Sequence, residues 1–301
     1  MKKFAISLLS ASLLLSGCAG ANATIKKDTA KEVIMTVGST TITKEKEYNA
    51  LKAGNIPQEV LQETRKIIYN QEVEVTDKIK KEANKQFESV KEMYGDEDIE
   101  EAIKSYGYES VDDYVMDYLV PSVQADKLID KYIKENWKTI KKENKPTLAH
   151  IIPCDDEKNA KKALEDLKNG EEFASVYEKY ASDEASISNE QIFVSTKSEN
   201  LPTRLINTLY KSEPGVIDEV FTNDTESGAY VAVLDGKTLK DVKKDLKSSL
   251  QSDSNFSSTV LAYYMKKYNF IIHDQYVFDY FRANNPEYII NHPELAQKEE
   301  K

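Results

Sequence analysis

Residues 145–154 read Lys-Pro-Thr-Leu-Ala-His-Ile-Ile-Pro-Cys, and this stretch marks where the chain changes its architecture. From residue 44 to residue 137, apolar positions recur at helical spacing among charged ones. Lys145-Pro146 ends that pattern: proline has no N–H for a helix to use and disfavours the α region for the residue before it. Leu148-Ala149-His150-Ile151-Ile152 then forms an apolar strand candidate.

Downstream, residues 159–169 place Ala160, Ala163, Leu164 and Leu167 on one helical face, closed by Gly170. Phe173, Val176, Tyr177 and Tyr180 mark a second helix. Residues 181–200 are polar and loop-like, residues 201–210 read as a short helix, and residues 228–234 (GAYVAVL) as a last strand. Residues 145–237 are thus expected to form a small α+β domain. From Leu239 the helical period returns, with Leu239, Val242, Leu246 and Leu250 in one stripe and Val260, Leu261, Tyr264 and Met265 in another. Residues 238–283 form this second helical segment, and residues 284–301 a polar tail.

Upstream, Val33 to Val37 and Thr40 to Thr43 read as a short strand pair. Thr43 is placed to cap a helix over residues 44–53, Pro57 suits the first turn of the next, and Thr76-Asp77 opens a third that Gly95 stops. Ile79, Ala83, Phe87 and Val90 form the apolar stripe of that third helix. Residues 33–144 are therefore a first helical segment. The expected layout is α+β overall, with the N- and C-terminal helical segments packed into one domain and the 145–237 domain inserted between them.

The first residues, MKKFAISLLSASLLLSGC, combine Lys2 and Lys3 with an apolar core too short to span a bilayer. The Leu15-Ser16-Gly17-Cys18 order resembles a bacterial lipobox. Residues 1–17 are then a lipoprotein signal peptide, Cys18 the acylated residue, and residues 18–32 a flexible tether. The expected location is the extracytoplasmic face of the cell membrane, since acyl chains on one residue give stable anchoring where a single chain would not.

Composition narrows the function classes. The chain has 301 residues and a formal net charge of −11, with no basic stripe to hold nucleic acid. Two cysteines exclude a disulfide framework, and His150, His273 and His292 have no spacing that suits a metal centre. Two α/β lobes, as in solute-binding lipoproteins, are not written in this strand-poor sequence.

The order of lipobox, strand pair, helical segment, α+β domain and C-terminal helices resembles the PrsA-type foldases, lipoproteins that carry a parvulin-type peptidyl-prolyl isomerase domain. The helical segments look like the SurA-type chaperone domain. Leu148 to Ile152 resembles the opening Ser-His-Ile-Leu strand of parvulins. Asn169-Gly170-Glu171-Glu172-Phe173-Ala174 resembles their Gly-to-Phe-Ala segment, and Tyr180-Ala181-Ser182-Asp183 their acidic active-site segment. Further on the pattern departs: Ser188 to Ile192 replaces a glycine-rich run, Leu201 stands where the family has a pocket Met, Leu205 near the pocket Phe, Tyr210 at a following core Phe, and Tyr230 at the second His.

The resemblance implies a catalytic set of His150, Asp183 and Tyr230, and a substrate-binding set of Leu201, Leu205 and Tyr210. It also implies no cofactor or metal, and as partners unfolded or newly secreted polypeptides with X-Pro bonds, with a homodimer compatible. Rotation about a peptide bond faces a barrier of about 18–20 kcal/mol, and lowering it needs only an apolar proline pocket and hydrogen bonds to the twisted amide. Beside this stand plainer readings. His150 suits a satisfied core position, Asp183 a turn cap, and Cys154 a free buried thiol. The alternative function is a holdase whose parvulin-like domain is catalytically weak or inactive.

Overall fold

The structure, a computed structural model, describes residues 31–295 except 38, 55, 96–98, 184–186 and 223–227. The signal peptide, the lipidation site at Cys18 and the end of the polar tail lie outside the described residues. Contacts divide the chain into two compact units, residues 1–125 with 258–301, and residues 126–257. The fold is α+β, mostly helical, with one small antiparallel sheet.

The first unit opens with a two-stranded hairpin, β1 (Val33–Val37) and β2 (Thr40–Thr43), followed by α1 (Lys44–Ala53). Thr43 caps α1, its hydroxyl accepting from the Lys46 N–H at 3.3 Å. Then come α2 (Ile56–Glu72), α3 (Asp77–Tyr94), α4 (Ile99–Ser105) and α5 (Val111–Tyr114). Thr76 caps α3 and Gly95 ends it with a φ of 87°, a left-handed value that glycine adopts without a Cβ penalty. The α3 stripe Ile79, Ala83 and Phe87 is buried against Ile99, Ile103, Val115, Leu119, Val120 and Val123. Between α5 and α6 (Val120–Glu135) lies one π-helical stretch, Val115–Leu119, in which the Val120 N–H reaches back five residues to Val115 O.

The C-terminal segment of this unit holds most of α12 (Phe256–Lys267) and α13 (Gln275–Asn284). It packs on α2. Gln58 hydrogen-bonds Tyr280. The Glu72 side chain, 1% exposed, takes an ion pair from Lys267 and a 2.7 Å hydrogen bond from the Tyr268 hydroxyl. A carboxylate so buried is stable only when paired in this way.

The second unit is centred on β3 (Thr147–Cys154) and β7 (Ala229–Gly236). β4 (Ile192–Val194) pairs with the free side of β3, while β5 (Gly215–Val216) and β6 (Phe221–Thr222) pair with β7, every pair antiparallel. Helices α8 (Glu157–Lys168) and α9 (Phe173–Tyr180) cover one face, where Ile152, Cys154, Ala160, Ala163, Leu167, Val176, Ala229 and Val231 form one core. Helix α10 (Thr203–Lys211) covers the other, with Leu205, Ile206 and Leu209 against Ala149, Ile151, Ala232 and Leu234.

The structure differs from the sequence reading in several places, one being residues 284–301, read as a polar tail, where Tyr288 and Ile289 are buried because they pack back on the helical unit. β4 lies inside residues 181–200, read above as loop, because three apolar residues among polar ones carry no periodic signal until β3 offers an edge to pair with. The division into units also falls at 125/126 and 257/258, outside the 145–237 limits. Helices α6, α7 (Trp137–Asn144) and α11 (Leu239–Gln251) explain this. α11 lies against β3 and β4. Its Lys247 Nζ is 2.7 Å from Asp126 Oδ1 and 3.1 Å from Asp130 Oδ1, and Lys243 also pairs with Asp130. Tyr132 meets Phe256 edge-on at 5.9 Å.

Candidate functional site

The β3–β7 register sorts the candidate residues. Opposed residues in an antiparallel pair share a face, and faces alternate along each strand. His150 stands opposite Val233 and Pro153 opposite Tyr230. His150 and Tyr230 therefore point to opposite faces of the sheet.

On the α8–α9 face, His150 Nδ1 lies 2.9 Å from Asp235 Oδ2, with the two side chains 29% and 26% exposed. The imidazole packs on the Phe173 ring at a centroid distance of 4.9 Å. A carboxylate only accepts hydrogen bonds, so the neutral imidazole carries its proton on Nδ1 and leaves Nε2 as an acceptor. Asp235 was not among the residues read from the sequence. Its signal is positional: it falls two residues after Val233, hence on the His150 face, but only once the β3–β7 register is known.

On the α10 face, Tyr230, Leu201 and Leu205 come together in one cluster. Leu205 is 0% exposed and Leu201 9%, so Leu205 is part of the sealed core and only the rim of Leu201 meets solvent. Tyr210, half-buried at the end of α10, carries the Lys141 ammonium 6.0 Å from its ring centroid. Asp183 is exposed on the turn after α9, next to Ser182, whose N–H donates to Pro153 O at 2.7 Å. The structure thus gathers Tyr230 with Leu201 and Leu205 on one face of the sheet, and His150 with Asp235 and Phe173 on the other.

Cys154 is a free, buried thiol on the His150 face. Burial, with Asp155 and Asp156 adding to it, pushes its pKa up to about 12, far from a reactive thiolate. Among the described residues no group of three or more His, Cys, Asp or Glu could hold a metal ion, and no helix is long and apolar enough to cross a membrane.

No family model matches the chain. Over 162 residues it is 32% identical to the foldase protein PrsA of a Geobacillus species, covering 52% of this chain and 56% of that protein. Over 198 residues it is 30% identical to foldase protein PrsA 1 of Listeria innocua, covering 63% and 60%. In sequence, the chain is PrsA-like. A third relative, foldase protein PrsA 2 of Bacillus cereus, is 26% identical over 294 residues, 94% of this chain and 97% of that protein. The first two PrsA matches span less than two thirds of those relatives' own lengths. Among solved structures, the peptidylprolyl isomerase PrsA of Bacillus cereus has a TM-score of 0.47 at 21% identity, covering 84% of this chain and 98% of that one. PrsA of Streptococcus pneumoniae has a TM-score of 0.38 at 22% identity, covering 83% and 98%.

Proposed function

We propose that this protein is an extracytoplasmic folding factor of the PrsA type, tied to the membrane by a lipid on Cys18 and acting on unfolded exported polypeptides. The observation that carries the reading is the 30–32% identity to PrsA foldases in a chain whose N-terminus reads Leu15-Ser16-Gly17-Cys18. Client binding belongs to the helical unit, where most exposed apolar side chains stand, and peptidyl-prolyl isomerisation belongs to the sheet unit. His150, with Nε2 as acceptor, and the Leu201 rim beside Tyr230 are its candidate groups, and Asp183 and Tyr210 belong to the same unit.

A second reading, a holdase with little or no isomerase activity, is favoured by one specific observation. His150 and Tyr230 occupy opposite faces, and Leu205 is sealed in the core, so the histidine does not share a face with the Leu201, Leu205 and Tyr230 cluster.

Exchange NMR of a short X-Pro peptide separates the two. Acceleration by the wild type that His150→Ala abolishes supports isomerase action; no acceleration by the wild type, with aggregation of an unfolded client still suppressed, leaves the holdase. A wild type that neither accelerates exchange nor suppresses aggregation refutes both. Cys18→Ser is expected to move the protein from the membrane to the soluble fraction, and retention on the membrane would overturn the lipid anchor.

A further inference from the structure

Residues 105–125 form an acidic, tyrosine-rich stretch of the helical unit. They hold Glu109, Asp112, Asp113 and Asp117, four tyrosines and no Lys or Arg. The structure turns this composition into a surface. Tyr114 and Tyr118 stack at 5.3 Å with ring planes 20° apart, and Tyr108 meets Tyr114 edge-on at 5.3 Å. Phe87 of α3 closes the row from beneath at 6.4 Å from Tyr114. The inner rings anchor on the α3 core, while Tyr118 is 55% exposed and Tyr106, beside the row in sequence, 71%.

Burial does not require this exposure. The apolar stripe of α5 and the following turn is already satisfied by Val115 and Leu119 in the core. Tyr118 sits in the π-helical stretch, a costlier conformation than α-helix that is over-represented at functional positions. At the other end of the segment lies a hollow of about 350 Å³, formed by Glu100, Ile103, Lys104, Glu109, Val111 and Asp112, with Ser110 between. Val111 supplies most of its accessible apolar lining, since Ile103 is 3% exposed. The carboxylates of Glu100, Glu109 and Asp112 outnumber the single ammonium of Lys104.

A hollow with surplus negative charge, in the same segment as exposed tyrosine rings, is complementary to one kind of partner. A lysine or arginine side chain lays its aliphatic stem on apolar surface while its charge meets carboxylates, and aromatic faces attract the same cations. We propose that the α4–α5 surface docks extended polypeptide segments in which a Lys or Arg neighbours an aromatic or aliphatic residue. The cation enters the Glu109–Asp112 hollow, and the apolar neighbour lies on Tyr118. This rests on the folding-factor reading and sharpens it, giving the helical unit a preference among unfolded chains that apolar contact alone would not supply.

The test uses the whole chain and three labelled, unstructured peptides of equal length that alternate Phe with Lys, Gln or Glu, read by fluorescence anisotropy. The Lys peptide is expected to bind about tenfold or more tighter than the Gln peptide, equivalent to about 1.4 kcal/mol, with the Glu peptide weakest. The preference should shrink as salt rises from about 0.02 M to about 0.5 M, because exposed charges are then screened within a few ångströms. The Glu109→Gln/Asp112→Asn double variant should lose the Lys-over-Gln preference yet keep some binding of both. Tyr118→Ala should weaken all three alike. Equal binding of the three peptides by the wild type, or an unchanged preference in the double variant, would overturn the proposal. So would self-association through the tyrosines that shuts the peptides out and vanishes in Tyr118→Ala. Suppression of client aggregation, measured in parallel, keeps the two readings apart. Its loss in the wild type refutes the folding factor, whereas its presence beside an unchanged peptide preference in the double variant refutes this surface alone.

Discussion

The two compact units treat apolar surface in opposite ways. Of the large apolar side chains exposed among the described residues, Val216 alone belongs to the sheet unit. The helical unit exposes Ile34, Met35 and Leu51 near its start, Met116 and Tyr118 at the π-helical stretch, and Tyr268, Ile271 and Tyr276 in its C-terminal segment. The sheet unit seals both faces, so its side chains are chosen for packing. Sequestering apolar groups maximises stability, whereas leaving them exposed costs stability and suits contact with other chains. Substitutions should therefore act on stability in one unit and on binding in the other.

The largest effect is expected from Leu209→Ala, which removes a fully buried side chain between α10 and the sheet. Loss of its burial plus the cavity left behind should cost about 2–5 kcal/mol in urea unfolding. A cost below about 1 kcal/mol would mean that this face is not tightly packed and would narrow the contrast between the units. Next is Lys247→Ala, which leaves Asp126 and Asp130 without their shared cation. At a partly exposed site this should cost about 1–2 kcal/mol, and a negligible change would mean that apolar packing and the Lys243–Asp130 pair hold α11 without it.

Thr238→Ala should cost about 1 kcal/mol, since Thr238 and Asp241 form a reciprocal capping box at the start of α11. The Thr238 hydroxyl and backbone N–H hold the Asp241 carboxyl below its usual range. A depressed carboxylate contributes stability above the unfolded pKa, and that contribution should fade as pH drops through the carboxylate range. Cys154 works in the reverse sense. Its thiol is raised from 9.0 to about 12 in the fold, so the unfolded chain deprotonates first and stability should fall as pH rises from about 9 towards 12. Cys154→Ser or Cys154→Ala should flatten that alkaline limb of a pH-dependent unfolding curve. The smallest effect on stability is expected from Tyr118→Ala, about 1 kcal/mol or less, because the ring is 55% exposed and its main contact is the stack on Tyr114. A loss comparable to that of Leu209→Ala would break the contrast outright.

Much of the fold was legible because local chemistry settles it. Thr43 and Thr76 are caps in the structure as their positions suggested, Gly95 ends α3, and the stripe Val242, Leu246 and Leu250 is buried. These features depend on hydrogen bonds and periodicities spanning a few residues. β4 was not legible, because a three-residue strand exists only through its partner. Asp235 was missed for a related reason: no motif of adjacent residues connects it to His150, 85 positions away.

By itself, then, the amino-acid order settled most of the helices and the two long strands of the sheet, where most helices begin, and the excess of acidic over basic groups. Tertiary structure alone decided which face each candidate side chain occupies. Strand side chains alternate with a period of two, so a shift of one residue in pairing would carry a whole strand's side chains to the opposite face. Nothing local to residues 147–154 or 229–236 specifies that pairing. It follows from packing α10 on one side and α8 with α9 on the other, and it is what sets His150 beside Asp235 and apart from Tyr230.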